Sequence, residues 1–120
     1  MKLTEAITRI DETVFNTYPR EEKIAWLSEL DGMVNTLILT PCAEAVAFSP
    51  YDPGADSQRE LLAQAPYDAM YLYYLEAKIH YYNGEYTRYN NAISLFNNAF
   101  RSYSDACNRN RKPSRGKGFC

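Results

Sequence analysis

The sequence lacks most of the residues from which catalytic and metal sites are built. It has one histidine, His80, and three widely separated cysteines, Cys42, Cys107 and Cys120. A zinc site needs Cys or His ligands at short spacing, and His80 has no such neighbour in sequence. Glycine-rich phosphate loops, paired-carboxylate motifs and nucleophile elbows are also absent. The sequence therefore predicts a protein that is not an enzyme and that uses no cofactor and no metal.

Long apolar runs are missing as well. No run approaches the roughly 18 to 20 residues that a membrane-spanning helix needs, and the N-terminus lacks the apolar centre of a secretion signal. An odd number of dispersed cysteines implies no disulfide framework. These absences predict no membrane partner and a reducing, cytoplasm-like compartment.

Tyrosine is what the sequence has in excess. Eleven of the 120 residues are tyrosine, and eight of these fall between Tyr67 and Tyr89. A tyrosine side chain has an apolar ring and a polar tip, which suits half-buried surfaces. Two compatible interpretations follow, namely a small aromatic core with wet edges and a subunit interface.

The clearest periodic pattern lies in the last third of the chain. Spacings alternating between three and four predict an α-helix about six turns long, with one bulky face and a neighbouring face of mostly small residues. Such a helix is suited to packing against another helix. The bulky row is Tyr86, Tyr89, Ile93, Phe96, Phe100, Tyr103 and Cys107, and the small row is Ala92, Leu95, Ala99, Ser102 and Ala106.

Two further helices are predicted near the N-terminus. The first covers 4–15 with Thr4 as its N-cap, and the second covers about 20–39 and stops before Pro41. An irregular loop rich in proline follows over 40–66. The inward stripe of the second helix is Ile24, Leu27, Leu30, Val34 and Leu37.

A third helix is predicted from Pro66 to Asn83, with Gly84 in the left-handed conformation that ends a helix. Because the flanking periodicity is three to four rather than two, the Asn-Gly pair predicts an αα-hairpin instead of a β-hairpin. The fold class is therefore mainly α. We expect a small helical bundle built on a long antiparallel αα-hairpin, with a single domain over 1–112 and a flexible basic tail over 113–120.

Charge is distributed unevenly along the chain. The first sixty residues hold 11 acids and 5 bases, whereas the last sixty hold 4 acids and 8 bases, for a net charge of −2. The C-terminal cations have three interpretations: a solvated end, a grip on DNA phosphates, or an arm that orders on a protein partner. These candidate partner-binding residues are Arg109, Arg111, Lys112, Arg115 and Lys117.

Five stretches of the sequence carry a family resemblance, and they lie at 21–32, 66–68, 74–79, 81–91 and 96–100. The most specific is Tyr-Tyr-Asn-Gly-Glu-Tyr-Thr-Arg-Tyr-Asn-Asn at 81–91. With these stretches the chain resembles the head–tail connector (adaptor, or neck) proteins of tailed phages and of prophages of Gram-positive bacteria.

The resemblance implies a virion structural protein, present in the host cytoplasm during assembly. Such a subunit forms a homo-oligomeric ring under the portal and joins the phage head to the tail. Its partners are the portal protein and a downstream neck or tail protein, and DNA passes through the ring without sequence-specific binding.

Two alternatives belong to other classes of protein. One is a small helical DNA-binding module that uses the basic C-terminal tail, although the net charge of −2 argues against it. The other is a small enzyme that uses His80, for which the sequence indicates no substrate.

Overall fold

The computed structural model describes residues 1–40, 48–56 and 58–110. Most of these residues are helical, and the mainly α fold class is confirmed. In the described ranges the only β pairing is an isolated bridge between Lys2 and Glu60. The helices are α1 (Leu3–Thr13), α2 (Arg20–Met33), a π-helix (Val34–Leu39), α3 (Ala69–Tyr82) and α4 (Tyr86–Asn110).

The first helix begins one residue before the predicted cap. Lys2, not Thr4, is the N-cap of α1, and its backbone N–H donates to the Glu5 carboxylate at 2.9 Å. This hydrogen bond holds the pKa of Glu5 below its usual value. The earlier start places Leu3 inside the helix and fully inside the core, which the predicted Thr4 cap did not account for.

The second helix changes its hydrogen-bond pattern partway along its length. It is α-helical to Met33 and then continues as a π-helix, whereas the prediction was one helix over 20–39. A π-helix bonds each residue to the fifth one along, so more residues are needed for each turn. Ile38 therefore returns to the core, and Leu37, predicted on the inward stripe, is 60% exposed.

A buried carboxylate joins the irregular loop to the helices. Asp31 on α2 accepts hydrogen bonds from the Tyr51 hydroxyl, from the Leu62 backbone N–H at 3.0 Å and from the Tyr71 hydroxyl at 2.6 Å. The Tyr71 oxygen in turn accepts the Ala63 N–H at 2.7 Å. Burial raises the pKa of Asp31 above its ordinary 3.8, although these donors act in the opposite direction. These hydrogen bonds tie the loop to α2 and α3 at Tyr51, at Leu62 and at Ala63.

The αα-hairpin is present as predicted, with one change at its start. The third helix begins at Ala69 rather than at Pro66, because Pro66 and Tyr67 lie in turns that precede the helix. Gly84 has φ of 77°, the left-handed conformation that ends α3 and turns the chain into α4. The central helix of the bundle is α3, since α1, α2 and α4 all pack against it.

Three ring contacts define how α3 and α4 are aligned. Tyr67 meets Tyr103 at a centroid distance of 5.7 Å, Tyr74 meets Phe96 at 5.1 Å, and Tyr81 meets Tyr89 at 5.4 Å. Each step of seven residues from Tyr67, which lies just before α3, to Tyr74 and on to Tyr81 is matched by a step of seven back along α4. Seven residues are two helical turns, so the two helices are antiparallel and keep one register along their contact.

Candidate interaction surface

The predicted bulky row of α4 is buried in the middle and exposed at the turn. Among the described residues of this row, burial falls toward the start of the helix. Phe96 and Tyr103 are 7% and 8% exposed, Tyr89, Ile93, Phe100 and Cys107 are half-buried, and Tyr86 is 61% exposed.

The line of closest contact on α4 runs between the two predicted rows. It takes Phe96 and Tyr103 from the bulky row and Ala92 and Ala106 from the small row, and all four are buried. With the half-buried Ala99 between the two rings, small and large side chains alternate along this line, which lets α3 lie close to α4 at the small residues. The bulky row therefore forms one flank of the helix contact, and its outer residues are available to other molecules.

The C-terminal cations fall mostly beyond the described ranges. Arg109 is exposed in the last turn of α4. The other four candidate residues, Arg111, Lys112, Arg115 and Lys117, lie outside the described residues, as does the predicted boundary between the domain and its tail.

An aromatic cluster covers the turn end of the hairpin, and we call it the aromatic tip. Its members are Tyr18, Trp26, Tyr81, Tyr82, Tyr86 and Tyr89. Tyr82 stacks on Trp26 with an interplanar angle of 6° at 5.7 Å. Tyr18 meets the Trp26 edge at 5.6 Å, and its hydroxyl donates to the Asn83 side-chain oxygen at 2.6 Å.

Three tyrosines of the aromatic tip are exposed. Tyr81, Tyr82 and Tyr86 are 49%, 54% and 61% exposed, although their rings contact one another. Within residues 1–40, 48–56 and 58–110 none of their hydroxyls is hydrogen-bonded to the protein. Exposed tyrosines with free hydroxyls are typical of the centre of protein–protein interfaces.

A groove runs from the aromatic tip along the seam between α3 and α4, and we call it the seam groove. Its volume is about 430 Å³, and its lining residues are Tyr74, Ala77, Lys78, Tyr81, Tyr89 and Ile93. Lys78 is the one charged residue in this lining, with Nζ 3.0 Å from the Glu29 carboxylate and 5.4 Å from the Tyr74 ring centroid.

Glu29 fixes the wall of the seam groove. Its carboxylate accepts the Tyr74 hydroxyl as well as the Lys78 ammonium. The hydrogen bond from Tyr74 holds the pKa of Glu29 below its usual value, and burial raises the pKa of Tyr74. One of the rings that line the groove, that of Tyr74, is therefore held by a residue of α2.

His80 fastens the turn between the hairpin helices. It is 5% exposed, its Nδ1 lies 2.8 Å from Glu85 and its Nε2 lies 3.4 Å from Glu76. The carboxylates thus occupy opposite sides of the ring, where they cannot share one metal ion with it. The described part of the chain contains no group of three or more side chains suited to hold a metal. Cys107 is far from His80 and cannot pair with it. Tyr89 lies near the turn that His80 fastens, and Cys107 lies about 27 Å farther along α4 than Tyr89.

None of the helices in the described ranges is long and apolar enough to cross a membrane. No family model, no curated protein and no solved structure matches the chain.

The tyrosine-rich segment was visible in the sequence, whereas Tyr18 and Trp26 join the cluster from distant positions and no local pattern indicates them. The arrangement offers a contact surface made of rings, with little charge in its concave part.

Proposed function

We propose that the chain is a structural subunit rather than a catalyst, and that it acts as a head–tail connector (adaptor) in a tailed phage or prophage. In this proposal copies of the chain form a ring under the portal and join the head to the tail. The protein belongs to the virion and is present in the host cytoplasm during assembly.

The observation that supports this proposal most directly is the aromatic tip together with the seam groove. Three tyrosines at one end of the molecule are about half exposed, and a subunit of an assembly needs such aromatic surface for its neighbours. The resemblance of 81–91 to connector proteins involves the same segment. The partners in the proposal are the portal protein, a downstream neck or tail protein and further copies of the chain.

The experiment is assembly with the portal protein of the same phage or prophage. Purified portal rings are mixed with the chain and separated on a gradient, and the peak is imaged by electron microscopy. We expect the chain to co-sediment with portal rings and to add a layer of density on the axis. A strict monomer that binds no portal at any salt concentration would contradict the proposal.

A second candidate function rests on the C-terminal cations. Five of the last twelve residues are Lys or Arg and none is acidic, so a small DNA-binding module is the alternative. Affinity for duplex DNA would then fall steeply with salt, and removal of residues 111–120 would abolish it. Binding that persists without the tail, or no binding at low salt, argues against this alternative.

A further inference from the structure

Asn83 and Gly84 form the only Asn-Gly pair in the sequence, and the fold places this pair in the exposed turn between α3 and α4. A glycine after an asparagine has no side chain to shield its backbone nitrogen. A Cβ added at Gly84 would meet no atom within 4 Å apart from its chain neighbours, so the space around this residue is open. The pair is therefore accessible to the intramolecular reaction that converts asparagine to an aspartyl residue through a cyclic imide.

This reaction needs no cofactor and no oxidant. The backbone nitrogen of Gly84 attacks the side-chain carbon Cγ of Asn83 and gives up its proton. The new N–Cγ bond forms, the Cγ–Nδ2 bond breaks, and Nδ2 leaves with that proton as ammonia. Water then opens the imide at either carbonyl carbon and leaves an aspartyl or an isoaspartyl residue at position 83. Both products carry a carboxylate in place of the amide.

The backbone of the turn holds the two reacting groups apart. Asn83 is the C-cap of α3 with ψ of −8°, so the Gly84 nitrogen nearly eclipses the Asn83 nitrogen about the Cα–C bond and lies away from the Cβ side of that bond. The Gly84 N–H also donates to the Tyr81 carbonyl at 3.1 Å. Closure of the imide ring therefore requires this hydrogen bond to break and Asn83 to rotate.

The side chain of Asn83 is tied to a residue outside the hairpin. The Tyr18 hydroxyl donates to Asn83 Oδ1 at 2.6 Å, and Tyr18 is itself placed by its edge contact with Trp26 at 5.6 Å. On the other side, Asn83 Nδ2 donates to Glu85 Oε1 at 3.4 Å. Since a rotation of Asn83 breaks these contacts, they keep the turn in its unreactive conformation.

We propose that Asn83 is a site of spontaneous deamidation and that the Tyr18 hydrogen bond sets its rate by keeping the turn closed. A carboxylate at position 83 then faces the Glu85 carboxylate, where the amide now donates a hydrogen bond. It also adds negative charge at the C-terminus of α3, which the helix dipole disfavours. The reaction thereby loosens the turn that carries the exposed tyrosines of the aromatic tip. This inference does not depend on the proposed function.

Peptide mapping by mass spectrometry measures the reaction. The full chain is incubated at slightly alkaline pH, well below its unfolding temperature, and digested with trypsin. The peptide 79–88 is then assayed over time for conversion of its amide to a carboxylate and for isoaspartate. We expect both products at position 83, formed more slowly in the folded chain than in the synthetic peptide 79–88, which lacks Tyr18. Asn83→Gln should remove the signal, because glutamine closes the corresponding larger ring far more slowly.

Two tyrosine variants test the role of the hydrogen bond. Tyr18→Phe keeps the ring beside Trp26 and should raise the rate about two- to tenfold, the range that the net strength of one hydrogen bond allows. The matched control is Tyr81→Phe, which removes an aromatic-tip hydroxyl without a partner among the described residues and keeps the carbonyl that Gly84 uses. Its rate should equal that of the unsubstituted chain. Circular dichroism confirms that both variants keep their helices during the incubation.

The Asp31-Gly32 pair is an internal comparison in the same digest. Aspartate before glycine forms the same imide, but Asp31 is fully buried in α2 and accepts three hydrogen bonds. We therefore expect isoaspartate at position 83 and none at position 31.

Three outcomes would overturn the inference. The first is no modification at position 83 in either the unsubstituted chain or Tyr18→Phe while the synthetic peptide reacts. The second is an equal rate in the folded chain and in the peptide. The third is a rate for Tyr18→Phe that does not exceed that of Tyr81→Phe, which would mean that the hydroxyl does not restrain the turn. None of these outcomes changes the expected binding to the portal, so the connector proposal is tested separately.

Discussion

The two ends of the α3–α4 hairpin use tyrosine in different ways. At the open end, Tyr51 and Tyr71 are 6% and 0% exposed, and both hydroxyls are hydrogen-bonded to Asp31. At the turn end, Tyr81, Tyr82 and Tyr86 are about half exposed, and within the described residues their hydroxyls have no hydrogen-bond partner in the protein. Tyrosines at the open end therefore serve the fold, whereas those at the turn end are available to a partner.

The difference follows from where carboxylates are placed. Asp31 and Glu29 lie on α2 and reach Tyr71 and Tyr74, so the hydroxyl of Tyr71 has a buried acceptor and that of Tyr74 has an acceptor at the surface. A buried hydroxyl without an acceptor is costly. Toward the turn, Tyr82 covers Trp26 with its ring and no carboxylate reaches its hydroxyl within the described residues. The aromatic excess of the sequence thus divides into a structural part and a surface part.

The largest effect on stability is expected at Phe96, in the contact between α3 and α4. Phe96 is 7% exposed and contacts Tyr74 at 5.1 Å and Phe100 at 5.5 Å. Phe96→Ala should lower the free energy of unfolding by about 3 to 5 kcal/mol, a large share of the roughly 5 to 15 kcal/mol typical of a domain. Urea unfolding followed by Trp26 fluorescence measures the change.

The control for Phe96 is its neighbour in sequence. Leu95 is 48% exposed, so Leu95→Ala should change the free energy of unfolding by well under 1 kcal/mol. Equal losses for the two variants would mean that α4 is rotated relative to the register described above.

An effect of intermediate size is expected from the buried hydroxyl of Tyr71. Tyr71→Phe removes the group that links the Asp31 carboxylate to the Ala63 N–H. Two buried polar groups lose a partner, so the free energy of unfolding should fall by about 1 to 3 kcal/mol. Tyr81→Phe at the turn end should change it by no more than about 0.5 kcal/mol, and a similar loss in both variants would remove the distinction between the ends.

The carboxylates at the open end should respond to pH in opposite directions. Burial raises the pKa of Asp31 above its ordinary 3.8, so the folded state holds this proton more tightly than the unfolded state. The contribution of Asp31 is present below pH 3.8 and is lost as pH rises through the raised pKa. The stability difference between the unsubstituted chain and Asp31→Asn should therefore shrink as pH increases from below 3.8.

Glu29 provides the matched control for that experiment. The Tyr74 hydrogen bond lowers the pKa of Glu29 below its ordinary 4.5, so its contribution is present above pH 4.5 and is lost as pH falls through the lowered value. The difference between the unsubstituted chain and Glu29→Gln should grow with pH. Unfolding curves at several pH values between 3 and 7 measure both differences, and parallel trends would contradict the assigned environments.

The helical architecture was predictable because its signals are local. Spacings of three and four, a proline near a helix start and Gly84 at the hairpin turn each depend on a few neighbouring residues. The errors are also local in origin. Sequence periodicity at 3.6 residues per turn placed Leu37 in the core, and the change to a π-helix moved it to the surface.

The contact surfaces were less predictable because they depend on distant residues. The eight clustered tyrosines were compatible both with an aromatic core and with an interface, but Trp26 and Tyr18 complete the aromatic tip from the other end of the chain. Asp31 stands beside the apolar stripe of α2, and nothing near it in sequence indicates that Tyr51 and Tyr71 are its partners.

The smallest effect on stability is expected at Tyr86, and the comparison with Tyr103 makes it informative. Both belong to the same predicted row of α4, yet Tyr86 is 61% exposed and Tyr103 is 8% exposed. Tyr86→Ala should change the free energy of unfolding by at most about 0.5 kcal/mol, whereas Tyr103→Ala, which loses its contact with Tyr67, should cost about 3 to 5 kcal/mol. A large loss at Tyr86 in dilute monomer would show that the turn end is part of the core, and its tyrosines would then no longer be available to a partner.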